Sequence, residues 1–189
     1  PGRRVMSLDG TWQVAEGPMD RGPERWEHTV PVPGLVDMAR PAFADVGDER
    51  SDRHRQAFWY RRTFKLDRPA PEVAVLKLHK ACYGTRVILN GHTLGDHLAS
   101  FTPVEFDVTR LLRPAGEENE LVVRLGAWRM SLPRSVPDGF EFEKIRYTPG
   151  IYDGVELIAS GRPRIERVQA VPDIAAKKVQ AVVWLKTDA

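Results

Sequence analysis

Residues 57–66 read AFWYRRTFKL, and their side chains alternate in character. Phe58, Tyr60, Phe64 and Leu66 fall on one face of an extended chain, and Trp59, Arg61, Thr63 and Lys65 fall on the other. Successive side chains of a strand point to opposite faces, so this pattern predicts a strand with one buried and one solvated side. Shorter runs of the same kind recur at 11–14, 27–32, 73–79, 85–89, 104–108, 121–125 and 155–159. No stretch sustains the period of ~3.6 residues that an amphipathic helix needs. The expected fold class is therefore all-β, an antiparallel β-sandwich.

The punctuation agrees. Asn90-Gly91 sits between apolar residues, and both central positions of a type I′ turn need positive φ, so a hairpin is expected there. Residues 107–112 read as a strand end entering one helical turn. Two connections are long and polar: 34–56, with Pro41 and Gly47, and 126–150, with Pro133, Pro137, Gly139 and Pro149. Loops beyond ~12–15 residues in a compact domain are usually functional or disordered. Composition shifts at Gly161-Arg162-Pro163, and 164–171 and 179–185 are two further alternating runs. In the second, Val179, Ala181, Val183 and Leu185 oppose Gln180, Trp184 and Lys186. Two strands are not stable alone, so they either extend the sandwich or open a second domain.

The chain of 189 residues suits one domain, or one domain and part of another. Its 28 Lys and Arg nearly balance 26 Asp and Glu, and the signs interleave, as in Asp48-Glu49-Arg50-Ser51-Asp52-Arg53. Nucleic acid would need a concentrated basic face, so it is not an expected partner. No apolar run approaches the ~20 residues that span a bilayer, and no membrane partner is expected. The first residue is Pro1 and no signal peptide is present, which reads as a processed or recombinant piece. Cys82 is the single cysteine, so no intrachain disulfide is expected, and it reads as a small buried hydrophobe in a strand.

Few residues suggest chemistry. Glu141 and Glu143, if extended, lie ~6.5–7 Å apart on one side, a spacing compatible with glycosidase carboxylates. Nothing places a partner element across a glycosidic bond from them, so a self-contained acid/base pair is not expected. His92, Asp96 and His97 follow no metal-ligand spacing, and neither a metal nor a cofactor is expected. His28, His54 and His79 are isolated from one another, lie near other charges and read as surface residues. There is no G-x-S-x-G elbow and no phosphate-cradling glycine loop. Trp26, Trp59, Trp128, Phe140 and Tyr147 could stack on sugar rings or pack in a core. Trp59, in mid-strand, is expected to pack; Trp128, in the long loop, is open to either role.

Seven segments fall in a distinctive order: Leu8-Asp9-Gly10-Thr11-Trp12; Val32-Pro33-Gly34; Trp59-Tyr60-Arg61-Arg62-Thr63-Phe64; Val87-Ile88-Leu89-Asn90-Gly91; Phe106-Asp107-Val108-Thr109; Glu118-Asn119-Glu120-Leu121-Val122-Val123; and Gly150-Ile151-Tyr152-Asp153-Gly154-Val155-Glu156-Leu157. As a set they resemble the N-terminal sugar-binding domain of family 2 glycoside hydrolases, the β-galactosidase, β-glucuronidase and β-mannosidase group. The resemblance implies a jelly-roll sandwich over 1–162 and the first strands of an immunoglobulin-like sandwich over 163–189. It implies that the catalytic (β/α)₈ barrel lies further on, so that no catalytic residue is assigned here. It also implies that the 126–150 loop reaches the barrel's sugar pocket, with Trp128, Glu141, Glu143 and Arg146 as the substrate-binding candidates. Lys144 falls where some β-galactosidases place an acid, and Asp153 replaces the usual arginine. The expected partners are carbohydrate and the downstream domains of a parent enzyme. A homo-oligomer of the full-length enzyme stays open. The alternatives are a free-standing carbohydrate-binding module and a purely structural sandwich.

Overall fold

A computed structural model describes residues 2–46, 55–69, 71–137 and 147–187. Its strands in chain order are β1 (Arg4–Ser7), β2 (Gly10–Gly17), β3 (His28–Val32), β4 (Gly34–Leu35) and β5 (Ala57–Lys65). There follow β6 (Val73–Leu78), β7 (Ala81–Cys82), β8 (Thr85–Leu89), β9 (His92–His97) and β10 (Val104–Asp107). The last are β11 (Glu118–Gly126), β12 (Gly150–Ile151), β13 (Val155–Ser160), β14 (Arg164–Asp173) and β15 (Lys178–Lys186).

A four-stranded sheet in the order β1-β13-β6-β10 faces a six-stranded sheet in the order β3-β2-β5-β11-β8-β9. Every pairing in both is antiparallel. The expected all-β sandwich is thus the observed one. Its core lies between the sheets and is built from the inward set of each strand: Trp12 and Val14, Phe58 and Tyr60, Leu76 and Leu78, Leu121, Val123 and Leu125. Burying these apolar side chains between two faces is the dominant stabilising term of such a fold.

The turn at Asn90-Gly91 has φ of 50° and 81°, and it closes β8 on β9 with Leu89 opposite His92. The single turn after β10 is closed by the Leu111 N–H donating to the Val108 carbonyl at 3.0 Å.

Some local features needed the tertiary structure. The outward face of β5 is not uniformly solvated. The β2–β3 connection folds over it, so Trp59 is buried and its Nε1–H donates to the Pro18 carbonyl at 2.9 Å. Neighbouring Arg124 is buried by the same strap and donates to the Met19 carbonyl at 2.8 Å. The charge beside His79 is Glu156, which is distant in the chain and whose Oε2 lies 3.1 Å from His79 Nε2 across the sheet. Four short strands, β1, β4, β7 and β12, carry too few residues for an alternating pattern to announce them.

Strands β14 and β15 pair with each other, and neither joins a sandwich sheet. Ile165, Val168, Val179, Val183 and Leu185 are all exposed on this hairpin. Arg162 N–H donates to Glu72 Oε2 at 3.0 Å and Arg164 approaches Glu105 at 3.5 Å, which ties the hairpin's entry to the four-stranded sheet.

Candidate functional site

Most of the recognisable segments are structural knots. Asp9 Oδ1 accepts the Val155 N–H at 2.9 Å, and the Trp12 indole donates to the Leu8 carbonyl at 2.8 Å, so the first segment fastens the last. Asn90 accepts from Glu120 N–H at 2.9 Å and donates from Nδ2 to the Leu111 carbonyl and to Asn119 Oδ1. Asp107 accepts from both the N–H and the hydroxyl of Thr109, and Thr109 Oγ1 accepts the Ala74 N–H at 2.9 Å. Asp153 accepts from the Gly154 N–H, and that bond, with Lys80 beside it, holds its carboxyl below the ordinary range.

Gly34 of the second segment and Gly150-Ile151 of the last help to build one end of the sandwich. Strands β4, β12 and β7 form a three-stranded sheet there, with Gly150 opposite both Leu35 and Cys82. A Cβ at Gly150 would stand 2.4 Å from the Gly34 carbonyl oxygen, so close backbone approach excludes any side chain. Cys82, Tyr83 and Leu132 form an apolar cluster separate from the main core, with Phe101, Val136, Tyr147 and Tyr152 packed against it. The Phe101 ring meets Tyr147 and Tyr152 edge-on, each with centroids 5.1 Å apart. The buried Tyr83 hydroxyl accepts the Tyr147 N–H at 2.8 Å. Tyr152 donates from its hydroxyl to the Thr148 carbonyl at 2.5 Å. Burial, with Cys82 and Tyr83 nearby, pushes the Tyr152 phenol well up, so it is a hydrogen-bond donor rather than a base.

The 126–150 loop leaves and rejoins the sandwich at this cluster. Ala127 N–H donates to the Gln56 carbonyl, and Arg129 spreads its guanidinium over the carbonyls of Leu132, Pro133, Arg134 and Val136, at 3.0 Å for the last. Trp128 is half-buried and packs against the main core. Glu141, Glu143 and Arg146, together with Phe140 and Lys144, lie outside the described residues. Tyr147 is the aromatic candidate that the structure brings into the cluster. Trp26 is half-buried on the outer face of the six-stranded sheet, with the Arg61 guanidinium 5.8 Å from its ring centre.

A cleft of about 420 Å³ also opens at β2, lined by residues that include Glu16, Glu27, His28, Phe43 and Arg55. Arg55 donates to Glu16 at 2.5 Å, and the Phe43 and His28 rings stack at 4.0 Å. Tyr83, Phe101 and Arg129 were not singled out from sequence, and Tyr152 was named only as part of the 150–157 segment. Only Tyr83-Gly84, a bulky aromatic beside a turn glycine, offered a local signal. Among the described residues no group of three His, Cys, Asp or Glu could hold a metal ion.

A two-sheet antiparallel sandwich whose motif residues are spent on loop knots, with the roots of the 126–150 loop in one cluster, defines the class of this protein as an all-β sandwich domain. The family model described as the glycosyl hydrolase 2 galactose-binding domain-like matches residues 37–148, and the chain belongs to that family. A beta-glucuronidase of Paenibacillus borealis is 31% identical over 124 residues, covering 64% of this chain and 21% of that protein. A beta-galactosidase of Thermoanaerobacter pseudethanolicus is 29% identical over 126 residues, covering 66% of this chain and 16% of that protein. The beta-glucuronidase structure of Ruminococcus gnavus superposes with a TM-score of 0.74 at 22% identity, over 99% of this chain and 34% of that one. This last likeness speaks for the fold alone. The chain therefore spans about a fifth of the length of the first curated relative.

Proposed function

We propose that this chain is the non-catalytic sugar-binding domain of a family 2 glycosidase, and that it helps to shape the substrate pocket of a catalytic barrel elsewhere in the parent protein. The reaction of that parent is hydrolysis of an O-glycosyl bond. The observation that carries this reading is the rooting of the 126–150 loop: both of its ends meet in one apolar cluster at one end of the sandwich. A loop held at both roots can present side chains to a neighbour in a reproducible pose, which is what positioning a substrate requires. Trp128 then supplies an apolar wall, and Glu141, Glu143 and Arg146 supply polar contacts to sugar hydroxyls. Residues 1–162 form the sugar-binding domain, and 163–189 begin an immunoglobulin-like one. The exposed apolar row on β14 and β15 supports that division, because such a row is stable only when covered.

The test compares this chain with the full-length protein on nitrophenyl β-glucuronides and β-galactosides, the substrates suggested by the names of its relatives. The chain alone is expected to give no turnover. Full-length protein is expected to turn over one of them and to lose about tenfold or more in kcat/KM when Trp128 is changed to Ala. Turnover by the isolated chain that disappears on Glu141→Gln or Glu143→Gln would overturn the proposal. Millimolar sugar binding by the isolated chain, with full-length kcat/KM indifferent to the loop, would instead favour a free-standing binding module.

A further inference from the structure

Phe101 has φ of 63°, in the left-handed region that a bulky side chain avoids. Its surroundings hold it there. Its N–H donates to the Ala81 carbonyl at 3.1 Å, and its ring is caught edge-on between Tyr147 and Tyr152. Tyr152 is itself fixed by its N–H on the Lys80 carbonyl at 2.9 Å. Tyr83 supplies the hydroxyl that receives the Tyr147 N–H. On the other side of the cluster, Leu132 fills the space above Gly84, where a Cβ would stand 2.7 Å from Leu132 Cδ2. Leu132 and Val136 belong to the outgoing root of the long loop, and Tyr147 belongs to its return.

This cluster is distinct from the one that joins the two sheets, so keeping the sandwich closed does not explain it. Satellite clusters of this kind form under long loops and serve them. We infer that Phe101 and Tyr83 are positioning residues: they hold both roots of the 126–150 loop in one socket and thereby set the pose in which the loop meets substrate. The substrate part of this inference rests on the pocket-wall reading above, whereas the socket itself does not.

Two measurements separate them. The first is trypsin cleavage of the 189-residue chain at Lys144 and Arg146, with Arg25 and Lys177 as control sites and the urea midpoint as the measure of global stability. The second is kcat/KM of the full-length protein carrying the same substitutions. Tyr83→Phe removes the hydroxyl that accepts the Tyr147 N–H and keeps the ring, so cleavage at Lys144 and Arg146 is expected to quicken about fivefold with little change in the urea midpoint. Phe101→Ala should do the same or more, and Phe101→Tyr should stay near the parent. In the full-length protein both loosening variants should lower kcat/KM, with Phe101→Tyr retaining it. Unchanged cleavage at Lys144 and Arg146, or cleavage that rises equally at the control sites, overturns the socket. Faster local cleavage with unchanged kcat/KM leaves the socket standing and overturns the reading of the loop as pocket wall.

Discussion

Replacing Tyr60 with Phe should stabilise this protein. Tyr60 lies on β5 opposite Val14 and Val123, fully inside the sandwich, and its hydroxyl has no hydrogen-bond partner among the described residues. A buried hydroxyl that has left water without gaining a partner costs ~1–3 kcal/mol. Phe keeps the ring and its packing and leaves only the space of one oxygen, which offsets part of that gain. The net expectation is about 1 kcal/mol of added stability, or ~2–4 °C in Tm for a chain of this size. Urea unfolding followed by tryptophan fluorescence reads it directly. A second arm varies pH. Burial, then the Tyr152 and Asp37 charges, push the Tyr60 phenol above its ordinary 10.0. Above pH 10 the unfolded chain therefore releases a proton that the folded chain keeps, and parent stability falls as pH rises. Tyr60→Phe should decline less steeply from pH 10 to 11. A loss of more than about 0.5 kcal/mol at pH 7, beyond the scatter of neutral substitutions, would refute the reasoning and mean that the hydroxyl is paired.

Three further outcomes are expected. Asn90→Gly keeps the turn's positive φ but loses the bonds to Leu111, Asn119 and Glu120, so it should cost about 2 kcal/mol, and Asn90→Ala should cost more because φ is also strained; thermal melts compare the two. Gly150→Ala drives a Cβ against the Gly34 carbonyl and should cost about 1–3 kcal/mol while parting β4 from β12, which amide exchange at Leu35 and Ile151 would report. Asp96 is held below its ordinary 3.8 by the Arg86 hydrogen bonds, so its contribution is present above that pH and disappears as pH falls below it. Asp96→Asn should therefore flatten the acid limb of a urea-midpoint profile below pH 4.

Much of the fold was legible because a pleated strand writes a period of two into its own residues. The Phe58 and Tyr60 face was readable from 57–66 alone, and so was the Asn90-Gly91 hairpin. The burial of Trp59 was expected, but its cause was not, because the strap carrying Pro18 and Met19 has no apolar pattern to show where it lies. The site was less legible. Trp128 was singled out because it stood in a long loop. Tyr83 and Phe101 were not singled out and Tyr152 entered only as part of the 150–157 segment, since residues this far apart in the chain carry no sign that they share one cluster.

The amino-acid sequence by itself determined the strand class, the inward face of β5 and, through the order of its segments, the family. Those properties depend on local alternation and on segment order, and both survive in one dimension. Only the tertiary structure decided that Tyr83, Phe101, Tyr147 and Tyr152 share one cluster, that Asp9 fastens Val155, and that β14 and β15 pair apart from the sandwich. These contacts depend on which strands become neighbours, a choice made by burying all the inward faces at once. No single segment carries that information.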